Sequence, residues 1–204
     1  MRPTLWLIAL AAAPAALAAQ AAKSTKAAPR ASQPPLTERQ QIASAVLALP
    51  AEFREHARVL GYRAGSHQLV PIREGTGPFT CLATEPGRPF HVACYHQSME
   101  PFMLRGRELR AQGVKDPQVD TVRFAEVRSG KLAMPTQPAS MYQFFGGSYD
   151  PVTSTLKGSQ ALYVIYIPGA TPASTGLTDK PVEGSPWIMF PGTPKAHIML
   201  TPKM

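Results

Sequence analysis

The amino-acid sequence predicts an α+β fold: a mainly antiparallel sheet with an N-terminal helix and one or two inserted helices. Three observations lead to this fold class. Apolar residues recur at helical spacing near the start of the chain and again in its middle. Short runs rich in aromatic and β-branched residues, typical of strands, lie before and after the middle helices. Strands and helices that do not alternate regularly are typical of α+β proteins.

Residues 1–21 are predicted to be a signal peptide. Arg2 supplies a basic start, Leu5–Ala18 is apolar, and small residues near positions 16–21 fit the pattern that a signal peptidase cleaves. The apolar run is shorter than the roughly 20 residues that cross a bilayer, and Pro14 interrupts it. We therefore expect cleavage and a periplasmic or secreted protein that does not span a membrane afterwards.

Residues 22–36 are predicted to be a disordered Pro/Ala-rich tether, because the stretch up to Pro35 is basic and holds no large apolar side chain. Residues 37–204 would then form a single globular domain, and a hydrophobic content of 44% is enough for a core. The formal net charge is +8. In an exported protein we do not interpret this charge as nucleic-acid binding; a basic surface attracts anionic envelope components, and the alternative is a soluble basic protein whose partners the sequence does not identify.

The N-terminal helix is predicted to begin at Thr37, because Thr37 and Gln40 have the spacing of a capping box. Ile42, Val46 and Leu49 then recur at helical spacing, and a further helical turn is expected after Pro50. Short extended runs follow, which predict a meander of three or four antiparallel strands. The predicted strands of this meander are 58–62, 69–73, 79–82 and 91–95.

The two cysteines, Cys81 and Cys94, lie on the last two strands of this meander. An even cysteine count in an exported chain favours a disulfide, and a Pro-Gly turn at Pro86-Gly87 would bring the two strands together. A bridge that closes a loop of this size stabilises a protein by about 3 kcal/mol. The alternative is a catalytic thiol pair, which more often has the C-x-x-C spacing.

The inserted helices are predicted from a second periodic segment. Ser98 is the expected cap, and Met99, Phe102, Met103, Gly106 and Leu109 form one apolar stripe, in which Gly106 would let the helix approach the sheet closely. Another helix is expected from Asp116-Pro117 through Val127. The last third predicts strands 141–145 and 161–167, a long loop 170–186, and a closing hairpin of 187–190 with 197–200.

Several strings of this sequence together resemble a set of exported bacterial proteins of unassigned function. The strings are 73–76 with 79–82 (REGT and FTCL), 94–96 (CYH), and 186–189 (PWIM) followed by 192–193 (GT) and 196–199 (AHIM). The resemblance covers roughly residues 45–202. It implies a common exported fold, and it transfers no catalytic role to any residue.

The sequence suggests one group of side chains that could bind a metal. His96, Met99 and Met103 lie near the start of one helix, and His197 and Met199 point to the same side of the last strand. Imidazole and thioether ligands together suit copper. The alternative is that Met99 and Met103 belong to the buried helical stripe and that His96 only bonds locally.

Two classes of function remain open. The first is an exported, non-catalytic domain that binds a ligand or a partner, with no cofactor. The second is a small extracytoplasmic hydrolase or a copper-binding protein that uses His96 and His197. No nucleophile elbow (G-x-S-x-G), H-E-x-x-H motif, phosphate-binding loop or dinucleotide fingerprint occurs in the chain.

Overall fold

A computed structural model describes residues 35–202. The predicted signal peptide and all of the predicted tether up to residue 34 lie outside the described residues. Within them, a mixed, mostly antiparallel eight-stranded sheet carries an N-terminal helix and inserted helices. The predicted α+β fold class is confirmed. No helix among residues 35–202 is long and apolar enough to cross a membrane.

The elements follow the predicted segments closely. The helices are α1 (Glu38–Ala45), α2 (Ala51–Arg54), α3 (Glu100–Ala111), α4 (Gln118–Arg128) and α5 (Pro172–Thr175), with 3-10 turns at Val46–Ala48 and Gln97–Met99. The strands are β1 (Arg58–Tyr62), β2 (Leu69–Arg73), β3 (Phe79–Leu82), β4 (His91–His96), β5 (Ala139–Phe145), β6 (Ser148–Asp150), β7 (Thr155–Lys157), β8 (Gln160–Tyr166), β9 (Trp187–Met189) and β10 (His197–Leu200).

The sheet has the order β2-β1-β3-β4-β5-β8-β10-β9, and β6 pairs with β7 in a separate two-stranded sheet that was not predicted. The prediction of a simple meander is wrong at one step, because β3 pairs with β1, in parallel, and not with β2. Pro71 in the middle of β2 lacks the N–H that a second neighbour would need, so β2 is left at the edge.

The return from β2 to β3 depends on a close backbone approach at Gly75. A Cβ at this position would lie 2.2 Å from the backbone nitrogen of Arg58 and 2.5 Å from the carbonyl oxygen of His56. The N–H of Gly77 then donates to that same His56 oxygen at 2.8 Å. The chain can therefore cross directly over the start of β1 because residue 75 has no side chain.

The predicted capping box at Thr37 and Gln40 is confirmed. The side chain of Gln41, one residue further on, joins α1 to the end of β1, because its Oε1 accepts from the N–H of Tyr62 and its Nε2 donates to the Tyr62 carbonyl. Helix α1 and the 3-10 turn after it thus cover one face of β1, β3, β4 and β5. We call the apolar cluster on this face the first core; its buried members include Ala45, Leu49, Val59, Phe79, Cys81, Val92 and Cys94.

Helices α3 and α4 cover the opposite face, where a second cluster forms. We call it the second core; it contains Tyr95, Met99, Phe102, Ala139, Val164 and Tyr166, with Met103, Met141 and Met199 packed at its margin. The apolar stripe predicted for α3 is buried as expected, except that Met103 is only half-buried. The close approach at Gly106 is to α4 rather than to the sheet, since a Cβ there would lie 2.8 Å from Nη1 of Arg123.

Two local predictions also need correction. Ser98 does not cap α3: it lies inside the 3-10 turn that precedes α3, and the cap of that turn is His96, whose Nδ1 accepts from the N–H of Ser98 at 3.3 Å, while the N-cap position of α3 is Met99. A histidine ring nitrogen can replace a hydroxyl as acceptor there, which residue preferences at helix starts do not anticipate. The long loop 170–186 contains the short helix α5, whereas the closing hairpin of β9 and β10 is confirmed.

Candidate functional site

Cys81 and Cys94 form the predicted disulfide. The two residues lie directly opposite each other on β3 and β4, with their Cα atoms 4.0 Å apart. Both are fully buried in the first core. A bridge enclosed among apolar side chains is out of reach of a thiol partner in solution, so the geometry is that of a structural cross-link.

His96 lies on the side of the sheet that carries the first core. Its ring meets that of Phe79 edge to face, with 5.8 Å between centroids, and its Nδ1 is 2.8 Å from the hydroxyl of Ser98. His96 is therefore engaged in the local contacts that end β4 and begin the next helix.

The other predicted metal ligands lie on the opposite side. Met99, Met103 and Met199 belong to the second core or pack against it, and the ring of His197 contacts that of Tyr166 at 5.0 Å. Four of the five candidate residues thus share one side of the sheet, and His96 is separated from them by the sheet itself. Among residues 35–202 no three His, Cys, Asp or Glu side chains are grouped so that they could hold a metal ion.

A chain of charged groups lies where α4 meets the segment before β10; Arg123 is buried in it, and Asp120 and Lys195 are half-buried. Arg123 is only 4% exposed; its guanidinium lies 3.8 Å from the Phe102 ring centroid, and its Nη1 donates to the Phe102 carbonyl. Its Nη2 binds Asp120, whose second carboxylate oxygen accepts from Nζ of Lys195 at 2.8 Å. We call Arg123, Asp120, Lys195 and His197 the Arg123 cluster.

The Arg123 cluster fixes the charges of its members. Burial opposes ionisation of Asp120, but hydrogen bonds from Lys195 and Arg123 outweigh it and hold its pKa below the ordinary value. Burial lowers the pKa of His197, whose Nδ1–H donates to the Lys195 carbonyl at 2.6 Å. Burial likewise raises the pKa of the neighbouring Tyr166 to about 12. The cluster is therefore a cation–carboxylate–cation chain beside a neutral imidazole.

The turn between β9 and β10 is held by the same cluster. Phe190 has φ of +53°, a left-handed conformation that costs a bulky residue energy. Nζ of Lys195 lies 4.5 Å from the centroid of the Phe190 ring, and the ring of His197 is 5.8 Å away. The strained turn is thus stabilised by a cation over one aromatic ring, and its position is fixed relative to α4.

An open groove lies next to this turn, and we call it the α4 groove. One wall consists of Phe124, Val127 and Arg128 of α4 together with Met134, and the other consists of residues 168–169 and 192–194. The groove encloses about 400 Å³, a volume within the usual range of small-molecule sites.

The polar backbone atoms of the second wall are largely satisfied within the wall itself. Gly169 donates its N–H to the Thr193 carbonyl, Gly192 donates to Ala170, and the Thr193 hydroxyl donates to Phe190. What the wall presents to the groove is mainly carbon. Arg128 is the one charged residue among those that line the groove, and it is exposed.

A second groove, which we call the hairpin groove, lies under the β3–β4 turn. Its floor is formed by Tyr62, Leu69, Leu82 and Phe145, and Glu85, Arg88 and His91 stand around it. It encloses about 540 Å³. Three of its ionisable side chains have partners: Glu85 binds His67 at 2.8 Å and approaches Arg88, and His91 bonds to Gln143.

Sequence reasoning did not find Arg123, Asp120 or Lys195. Asp120 and Arg123 are three residues apart on α4, which is a usual spacing of ion pairs on helices. An exposed pair has the same spacing as a buried one, so the sequence does not show that Arg123 is buried. Pro168-Gly169 and Pro191-Gly192 predict turns, but nothing in the sequence predicts that these turns form one wall of a groove. No protein-family model, no curated protein and no solved structure matches this chain.

Proposed function

We propose that the protein is an exported, non-catalytic domain that binds a ligand in the α4 groove. The observation that carries this proposal is the construction of the groove: an apolar, open groove whose walls are held in place by the ion pairs of the Arg123 cluster. Arg123 and Lys195 both bind Asp120, so α4 and the turn before β10 keep their separation without a ligand. Walls that are ordered in advance reduce the entropic cost of binding.

The location outside the cytoplasm rests on two features. The first is the N-terminal signal pattern of the sequence, and the second is the disulfide between Cys81 and Cys94, which persists in an oxidising compartment. Expression in a bacterium and mass measurement of the purified product test this part. We expect a periplasmic chain that begins between Ala19 and Lys23; a cytoplasmic chain that retains Met1 contradicts export.

The binding site itself can be tested with Nile red, an uncharged apolar dye whose fluorescence rises in apolar surroundings. Val127→Trp and Thr193→Trp fill the α4 groove from opposite walls, and Leu69→Trp fills the hairpin groove as the matched control. We expect the two α4-groove variants to lose dye binding and the control to keep it. All four proteins are first compared by thermal unfolding, so that a misfolded variant is recognised.

The opposite pattern, in which only Leu69→Trp loses the dye, would move the ligand site to the hairpin groove. Dye binding that survives all three substitutions contradicts the proposal for both grooves.

A further inference from the structure

We infer that the ligand of the α4 groove is a single-chain anionic lipid of the cell envelope, with its acyl chain in the groove and its headgroup at Arg128. This inference rests on the proposed function and names the chemical class of its ligand. Three features of the groove support it: the apolar character of its walls, the sign of the charge at its rim, and its size.

The walls of the groove favour an apolar chain as the part of the ligand that they enclose. Phe124, Val127 and Met134 line one side, and each also packs against the second core, so these side chains are fixed. In the second wall, the N–H groups of Gly169 and Gly192 donate to the carbonyls of Thr193 and Ala170. A polar ligand would lose hydrogen bonds to water here without replacement, whereas an alkyl chain loses none.

The rim selects a negative charge. Arg128 makes no ion pair or side-chain hydrogen bond to any part of the chain between residues 35 and 202. Nearby carboxylates are already neutralised, since Glu126 binds Arg105 at 2.6 Å and Asp120 binds Lys195 and Arg123. An anionic headgroup at this end of the groove would therefore meet a guanidinium that has no competing partner, with which it can form charge-assisted hydrogen bonds.

The volume fits one chain rather than two. At about 30 Å³ for a water-sized group, a groove of about 400 Å³ holds about a dozen such groups, comparable with a medium-length alkyl chain. A diacyl lipid would leave its second chain in water.

The inference is tested with three amphiphiles that share a twelve-carbon chain, each used below its micelle concentration. These are laurate, which is anionic, dodecyl maltoside, which is neutral, and dodecyltrimethylammonium, which is cationic. Isothermal titration calorimetry on the full mature chain measures each affinity. We expect laurate to bind about five-fold more tightly than dodecyl maltoside, since an exposed ion pair contributes an effect of this order, and the cationic amphiphile to bind most weakly.

Variants at the rim assign the preference to one side chain. Arg128→Gln should reduce laurate affinity to that of dodecyl maltoside and leave the neutral amphiphile unchanged, while Arg128→Lys should keep most of the preference. Because Arg128 is exposed and unpaired, neither substitution should change the melting temperature.

The outcomes separate the two proposals. Equal affinity for all three amphiphiles, or a laurate preference that survives Arg128→Gln, overturns the anionic ligand and leaves the groove as an apolar site. If none of the three binds, and Nile red does not bind either, the proposed function itself is wrong.

Discussion

The two cores on opposite faces of the same sheet are stabilised by different means. The first core joins its strands by the Cys81–Cys94 bridge and by backbone contacts at glycines, and its buried polar groups, such as Gln41 and Ser44, are uncharged. The second core is bounded by charges, with Arg123 and His197 both about 95% buried.

A second ionic group borders the second core. The hydroxyl of Tyr95 donates to Glu100, and Arg107 donates both to that hydroxyl at 2.9 Å and to Glu100 at 2.6 Å. Burial is the main reason that the pKa of Tyr95 is raised, so the phenol stays protonated. We therefore expect the stability of the first core to depend on its disulfide and that of the second core to depend on pH, although the sheet between them is continuous.

The largest effect is expected from removing Arg123. Arg123→Leu leaves Asp120 with a single cation and the Phe102 carbonyl without its donor, so we expect a loss of about 3–5 kcal/mol in the free energy of unfolding. Urea denaturation measures it. Arg128→Leu on the same helix is the control and should change stability by less than about 0.5 kcal/mol. A loss at Arg123 no larger than the control's would mean that the cluster does not stabilise this face.

The disulfide should contribute somewhat less. Cys81 and Cys94 are separated by 13 positions, and the double substitution Cys81→Ala with Cys94→Ala should lower the free energy of unfolding by about 3 kcal/mol, because the unfolded chain gains freedom. Urea denaturation with and without reductant measures this contribution. Reductant should not change the free energy of unfolding of the double variant. If it does not change that of the wild-type protein either, the prediction is contradicted.

Two glycine substitutions compare the packing of the two cores directly. A Cβ at Gly61 would lie 2.4 Å from Cδ1 of Ile72 and 2.6 Å from Oε1 of Gln41, so Gly61→Ala should cost about 1–3 kcal/mol. At Gly106 the obstacle is the end of the Arg123 side chain, and alanine is the better helix former by about 1 kcal/mol. Because Arg123 is held by the Phe102 carbonyl and by Asp120, we expect the melting temperature to fall in both variants, and to fall further for Gly61→Ala than for Gly106→Ala; the reverse order would contradict the comparison.

The smallest effect is expected from pH. Since burial lowers the pKa of His197 below its usual 6.5, the unfolded chain takes up this proton first, and stability is lost as the pH falls below about 6.5. The titratable groups that the structure places against the ring are Lys195, whose carbonyl accepts its Nδ1–H and whose charge opposes its protonation, and Tyr166, whose ring it contacts. Asp120, whose pKa is lowered, loses its contribution only below its own usual value of 3.8, so the two effects are separated.

Thermal unfolding between pH 7 and pH 5 measures the contribution of His197. His197→Gln should flatten the curve in this window, and Arg128→Gln, at an exposed arginine, should not. A curve that stays unchanged in His197→Gln would show that the buried ring does not control this part of the pH dependence.

Most of the elements could be predicted from local patterns. The four strands of residues 58–96 and the capping box at Thr37 depend on neighbouring residues, and their bounds agree with the structure to within a residue or so. The pairing of β1 with β3 could not be predicted in this way, because it depends on a close contact between Gly75 and a backbone segment 17 positions earlier, at Arg58.

The candidate site was less predictable than the fold. Asp120 and Lys195 are 75 positions apart, and their contact depends on how α4 is placed over β10. The sequence suggests a metal site because histidine and methionine are common metal ligands. In the structure, Met99 and Met199 take part in apolar packing. Arginine and lysine on a basic chain give no such signal, and the burial that makes Arg123 distinctive is a tertiary property.

Pro71 has a consequence for how copies of this domain behave when they are concentrated. An edge strand normally offers a row of free N–H and C=O groups that can template a strand from another molecule and begin a fibril. On β2 a proline interrupts that row in the middle, and at the opposite edge β9 is only three residues long. Neither edge gives an incoming strand a long uninterrupted partner.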